Sequence, residues 1–144
     1  MSGLLLIVRL AGERVAVPAG DVEAIVEIGE VTPIPRAPAN VAGLAALRSR
    51  VVTVVDCRAS LGAAPIEIGP PREAMLVVVD GHPYALLVDG VEDVVEPSGE
   101  ASDLQAALAP GWARLATATV EADGDLLLLL DLKALIALPA PALA

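Results

Sequence analysis

Phenylalanine is absent from these 144 residues, and tryptophan, tyrosine, cysteine and histidine occur once each, as Trp112, Tyr84, Cys57 and His82. A core built from this chain is therefore aliphatic. One cysteine cannot close an internal disulfide, and with a single histidine it cannot assemble a zinc cluster. Cys57 follows a valine-rich run and reads as a buried structural thiol. His82 sits in an Asp-Gly-His-Pro turn and reads as exposed. Long apolar runs are missing too, although 56% of the residues are hydrophobic. The longest purely aliphatic stretch near the C-terminus, 126–130, is bracketed by Asp125 and Asp131. Nothing approaches the ~18–20 apolar residues of a spanning helix, so membrane insertion is not expected. The opening "MSGLLLIVRLAGER" has no basic n-region and Arg9 interrupts its apolar run. It reads as a strand rather than a signal peptide, with the cytoplasm as the expected location. Basic residues are scarce: 9 against 19 acids, a net charge of −10. Such a surface repels a phosphate backbone, which argues against nucleic-acid binding and for a solvated acidic exterior.

What is present is a succession of β-type runs of about 5–7 residues, recurring roughly every 8–12. Residues 4–10 and 15–17 flank the turn signal Ala11-Gly12-Glu13-Arg14 as a hairpin. Asp21 is placed to cap a short helical turn over 22–25. Pro33, Pro35 and Pro38 make "EIGEVTPIPRAPANVAG" an extended loop leading to a strand near 43–47. Residues 51–56 form the next strand, and "CRASLG" a short turn or helix ending at Gly62. The proline-rich stretch 63–73 divides a single domain, 1–138, into approximate halves 1–65 and 70–138. The second half repeats the style of the first. Residues 75–79 and 84–88 flank a four-residue turn at Asp80-Gly81, and 92–96 follow as a strand. Ser102 caps a short helix over 102–108, 114–121 and 126–130 pair across Ala122-Asp123-Gly124-Asp125, and a helix over 132–138 is stopped by Pro139. The tail 139–144 is loose. Without long helices between strands, parallel βαβ units are not expected, and small antiparallel barrels of about five strands per half fit better.

The stretch "LRSRVVTVVDCR", 47–58, carries two candidate groups. Asp56 ends a valine strand, as Asp89 ends "ALLV" and Asp131 ends "LLLLL". Three acids at strand ends can hold magnesium or accept a phosphoryl group if they converge. Each also precedes a turn or helix start, where a carboxylate caps backbone N–H groups and is structural. No nucleophile motif and no phosphate-binding glycine loop accompanies them, so no catalytic, cofactor or metal residue is assigned. Arg48 stands between an apolar run and a turn, with Val22 and Ile25 nearby. It reads either as a solvated turn arginine or as a binding anchor whose stem packs while its guanidinium pairs with a carboxylate.

Taken together, the pieces resemble the CheW-like chemotaxis coupling proteins over about residues 4–138. "LIVRLAGERVAV" is similar to the family's opening hairpin. "DVEAIVEIGEVTPIPRAPANVAGLAALRSRVVTVVDCRASLG" resembles its central signature: a Val-x-Glu-Ile turn, an Ile-Pro-x-x-Pro loop, a Gly-x-x-Asn-Leu-Arg-Gly turn and a strand ending Val-Asp-Leu-Arg. "ALLVDGVEDVVE" and "DGDLLLLLDLKALI" are similar to later segments. Gly43, Leu47, Arg48, Val55, Asp56 and Arg58 keep the pattern. Ala24, Ala46, Ser49 and Thr53 depart from its glutamate, asparagine, glycine and proline. The resemblance implies a mainly β fold of two intertwined five-stranded, SH3-like barrels with a few short helices and a hydrophobic seam. It implies an adaptor, not an enzyme, that binds the signalling tip of a chemoreceptor and the regulatory domain of a CheA-type histidine kinase. By position, Val22, Gly43 and Arg48 match receptor-contact places, and Val91 and Val94 lie in a segment contributing to the same groove or to barrel contacts. Asp56, Asp89 and Asp131 match structural strand ends. Two other readings stand beside this one. One is a regulatory module that binds kinase without receptor. The other is a metal-dependent enzyme using the three aspartates.

Overall fold

The computed structural model describes residues 3–63, 72–103 and 108–137. Ten strands dominate them: β1 (Leu5–Leu10), β2 (Glu13–Pro18), β3 (Ala24–Ile28), β4 (Val41–Leu47), β5 (Arg50–Asp56), β6 (Arg72–Val79), β7 (His82–Leu87), β8 (Gly90–Val95), β9 (Ala116–Ala122) and β10 (Asp125–Leu130). They form two five-stranded sheets, ordered β8-β1-β2-β10-β9 and β3-β6-β7-β5-β4. The division of the chain into halves is thus not the division into sheets. Hairpin β1–β2 of the first half joins three strands of the second, and hairpin β6–β7 of the second joins three of the first. This exchange is what intertwines the sheets.

The two sheets share one pairing pattern. Each contains three antiparallel pairings and one parallel one, β2 with β10 and β5 with β7. The purely antiparallel expectation is corrected here. No βαβ crossover is needed, because the parallel partners come from different halves of the chain. Each sheet curls until isolated bridges link the continuation of its first strand to its last: Thr32 to Leu44 in one, Pro97 to Ala122 and Ser102 to Thr119 in the other.

Side-chain alternation explains why the strands read as nearly continuous apolar runs. On β1, Leu5 and Ile7 point into the core of their own sheet, with Ala16, Val120, Ala122 and Leu127. Leu6, Val8 and Leu10 point the other way, into a seam shared with Val15, Val17, Met75, Val77 and Leu86. On β6 and β7, Ala74, Leu76, Ala85 and Leu87 line the second sheet's core. A strand buried on both faces needs apolar residues at every position, not every second one. At about 1.5–3 kcal/mol per fully buried aliphatic side chain, these three cores are the main stabilising term.

Three short helices close one end of the seam: α1 (Cys57–Leu61), α2 (Pro110–Leu115) and α3 (Leu132–Ile136). Helix α1 ends at Gly62 in the left-handed conformation, as expected. Helix α2 was not anticipated, since Pro110-Gly111 reads as a turn; Pro at the first helical position is compatible with a helix start. Gly111 lets α2 approach α1: a Cβ there would meet the Leu61 carbonyl oxygen. Other expectations are corrected in detail. The helical turn lies at Ala19–Asp21 as one 3-10 turn, with Pro18 rather than Asp21 at its N-cap. Ile25 lies in β3 instead, a strand not anticipated because Pro33–Pro38 dominated the local reading. The β6–β7 connection is two residues, not four, and Ser102 forms a bridge with Thr119 rather than opening a described helix. Residues 103 and 108 are not helical, and residues 104–107 of that expected helix, most of the 63–73 boundary stretch, and the 139–144 tail lie outside the described residues. Among the described residues no helix is long and apolar enough to cross a membrane.

Candidate functional site

The hairpin β4–β5 forms one edge of its sheet and carries Gly43 and Arg48. Ala45, Val52 and Val54 turn inward, leaving Leu44 and Ala46 outside, opposite Thr53 and Val51. The two-residue turn at its tip is Arg48-Ser49, with φ 50 and 72. Positive φ at both central residues is the type I′ requirement, whose twist matches that of the flanking strands. Three other hairpins in this chain meet it with glycine at the second place: Ala11-Gly12, Asp80-Gly81 and Asp123-Gly124. Ser49 meets it without that freedom. The turn geometry therefore survives the loss of glycine, and the Arg48 side chain stands exposed, with no ion pair among the described residues.

Val22 lies between the 3-10 turn and β3. The 3-10 turn ties its N–H to the Ala19 carbonyl at 3.1 Å, and the Glu23 N–H bonds to the Leu76 carbonyl at 2.7 Å. Val22 itself packs half-buried against the seam. Its neighbours Asp21 and Glu23 line an open cleft of about 540 Å³ whose apolar walls are Val77, Val79 and Leu132. The Glu23 carboxylate reaches Arg50 at 3.6 Å. That contact joins the Val22 segment to the β4–β5 hairpin, two residues from Arg48. Sequence reasoning passed over both partners. An arginine directly after a two-residue turn is the only signal that could have flagged Arg50.

Gly43 is a structural constraint as well as a site position. It sits at a bulge in the β4–β5 register, with φ 150. A Cβ there would press on the Thr32 carbonyl oxygen and stand 2.7 Å from its carbon. Only glycine lets the proline loop lie against β4 and make the Thr32–Leu44 bridge.

Val91 and Val94 lie on β8, an edge strand of the other sheet. Val91 packs half-buried on the seam, and its N–H is bound by Glu73 Oε1 at 2.9 Å. Val94 is exposed. Glu73 stands at the start of β6, the end away from the Asp80-Gly81 turn. The five sequence-derived positions therefore do not form one patch. Val22 and Arg48 are brought to one end of a sheet through Glu23 and Arg50, Gly43 lies further along β4, and Val91 and Val94 belong elsewhere.

The three aspartates do not converge. Asp56 Oδ1 accepts the Arg58 and Ala59 N–H groups at 2.9 and 3.3 Å, capping α1. Asp131 Oδ1 accepts the Lys133 N–H at 3.0 Å, capping α3. Asp89 caps no helix. Its Oδ2 accepts the Ala11 N–H at 2.6 Å and its Oδ1 lies 3.7 Å from Arg58, tying the β1–β2 turn to α1. No three His, Cys, Asp or Glu residues are grouped to hold a metal ion among the described residues. Cys57 is fully buried; burial, and then the charges of Asp56 and Asp89, push its thiol well above its ordinary range. A buried polar clasp went unnoticed in the sequence. Asn40 Nδ2 donates to Ser60 Oγ and to the Leu135 and Ile136 carbonyls at 3.2–3.3 Å, and Ser60 Oγ donates to Leu135 O at 2.6 Å. It fastens the end of α3 to α1 and β4.

The architecture and the sequence lead to the same relatives. Scaffolding protein TtCheW from Thermoanaerobacter tengcongensis shares the fold with a TM-score of 0.81 at 18% identity, over 99% of this chain and 98% of that one. Chemotaxis protein CheW of Rhizobium meliloti (strain 1021) is 33% identical over 116 residues, covering 69% of this chain and 75% of that protein. The CheW-like domain model matches residues 4–140. With that match running almost end to end, this chain belongs to the CheW-like family.

Proposed function

We propose that this chain is a chemotaxis scaffold, working in the cytoplasm, that couples a chemoreceptor signalling tip to the regulatory domain of a CheA-type histidine kinase. It contributes contacts and no catalytic step. The observation that carries the reading is the CheW-like match over residues 4–140. The site supports it in physical terms. Arg48 offers an exposed guanidinium, without an ion pair among the described residues, on a turn braced by two strands, and Val22 offers apolar surface on a segment pinned by backbone hydrogen bonds. A helical partner recognised by an apolar stripe and a carboxylate fits such a pair. Arg48→Glu is expected to weaken pull-down of the receptor signalling fragment while leaving the melting temperature unchanged, because the side chain is exposed and packs in no core. Undiminished receptor binding removes Arg48 as the anchor. The alternative, a module that binds kinase alone, draws on Ala24, which stands exposed at the start of β3 where the family pattern has a carboxylate. Binding measured separately to each isolated partner distinguishes the two.

A further inference from the structure

Charge is distributed unevenly along this chain. Residues 31–55 contain Arg36, Arg48 and Arg50 and no acid, a net charge of +3. The other residues hold 6 bases and 19 acids, a net charge of −13, which accounts for the total of −10. The fold gathers this acid-free segment into the proline loop and the β4–β5 hairpin at one sheet edge. The same hairpin leaves Leu44 36% and Val51 59% exposed on its outer face, beside Ala46. Two guanidiniums stand at its tip. Arg48 has no ion pair among the described residues, and Arg50 meets only Glu23, at 3.6 Å, with the two side chains 49% and 54% exposed.

We propose that the outer face of β4–β5 is a second part of the receptor-docking surface, taking a helical surface that carries carboxylates beside aliphatic side chains. We further propose that Glu23 is an intramolecular stand-in for the partner's carboxylate. The inference rests on the scaffold reading and names the chemistry of its partner. Charge complementarity favours an occupant that brings carboxylates to Arg48 and Arg50, while a second copy of this chain would set one net charge of −10 against another. Leu44 and Val51 supply the apolar floor that a solvated ion pair lacks. The Glu23–Arg50 contact is long, exposed on both sides and weakly held, so an incoming carboxylate displaces it at little cost. Arg50 is then a specificity-determining residue as well as Arg48, and Glu23 tunes affinity by competing for it.

Binding is measured with the purified full chain against two separate probes, the chemoreceptor cytoplasmic signalling fragment and the kinase regulatory domain from the same genome, at low and at physiological salt. Arg50→Gln is expected to weaken receptor binding by about fivefold or more, through loss of a charge-assisted contact. Glu23→Gln is expected to tighten it by about two- to fivefold, the reach of an exposed ion pair. Val51→Ser is expected to weaken it at both salt concentrations, whereas the effect of Arg50→Gln shrinks as salt rises. Thermal melts confirm that the three variants fold. If Glu23→Gln and Arg50→Gln both leave receptor binding unchanged, the proposal is overturned while the scaffold reading stands. If the losses fall on the kinase domain instead, the face belongs to the kinase and the proposed occupant is wrong. A wild-type chain that binds neither probe overturns the scaffold reading itself and the occupant with it.

Discussion

Ser49→Gly tests whether the turn that presents Arg48 is held against its own preference. In the left-handed region a residue with a Cβ is disfavoured by roughly 1–2 kcal/mol. Ser49, with φ 72, makes no hydrogen bond through its hydroxyl among the described residues to offset that cost. Glycine removes the strain but adds freedom to the unfolded chain, which costs about 0.4–1 kcal/mol. The net expectation is a gain of about 0.5–1 kcal/mol, or ~3 °C in melting temperature for a chain of this size. The reciprocal change, Gly81→Ser, places the same side chain at the same turn position, where φ is 79, and is expected to lose a similar amount. Gly20→Ser serves as the control: its backbone needs no positive φ and its Cβ position is open, so only the unfolded-chain effect remains and a gain of about 0.4–1 kcal/mol is expected. Circular-dichroism melts of the four proteins measure all of this. If Gly81→Ser is destabilised but Ser49→Gly is unchanged or less stable, serine is not strained at this turn and the argument fails.

Gly43→Ala is expected to cost about 2–3 kcal/mol in urea denaturation, because its Cβ meets the Thr32 backbone and breaks the bridge to Leu44. Asn40→Ala removes the donor that holds the Leu135 and Ile136 carbonyls and is expected to cost about 2 kcal/mol, with hydrogen exchange rising first in α3. The Cys57 thiol is expected to resist thiol reagents in the native state and to react on unfolding. Its raised pKa also gives a pH dependence with a definite sign. The folded chain keeps the proton while the unfolded chain releases it near pH ~8.5, so stability falls above that pH, by at most about 1.4 kcal/mol per unit. Urea midpoints from pH 8 to 10 measure the slope, and Cys57→Ala is expected to flatten it.

Much of this protein is local, and local features were legible. Glycine-bearing hairpin turns, though not their two-residue length, the aspartates before α1 and α3, and the glycine after α1 each act within a few residues, so their spacing in the chain carries the information. Strand β3 was harder: Ala24–Ile28 is partly exposed at a sheet edge, and the prolines that follow it masked a short β-run. Helix α2 was missed because Pro110-Gly111 has the same local chemistry as a turn, and only packing against α1 decides between them. The partners of Asp89 were out of reach for a different reason. Its partners, Ala11 and Arg58, are 78 and 31 positions away (89 − 11 and 89 − 58), so nothing near it in the chain points to them.

The amino-acid sequence alone determined an aliphatic, mainly β protein with repeated hairpins, no disulfide and an acidic balance, because composition and short-range periodicity are properties of the chain itself. Tertiary structure decided which half each hairpin joins. It also decided that two sheets share a seam, and that Asp56, Asp89 and Asp131 act separately rather than together. It decided that Glu23 meets Arg50 and that an acid-free run becomes one exposed edge. These are contacts between residues far apart in sequence, and no local rule of spacing or propensity specifies them; they follow from burying both faces of β1, β2, β6 and β7 at once.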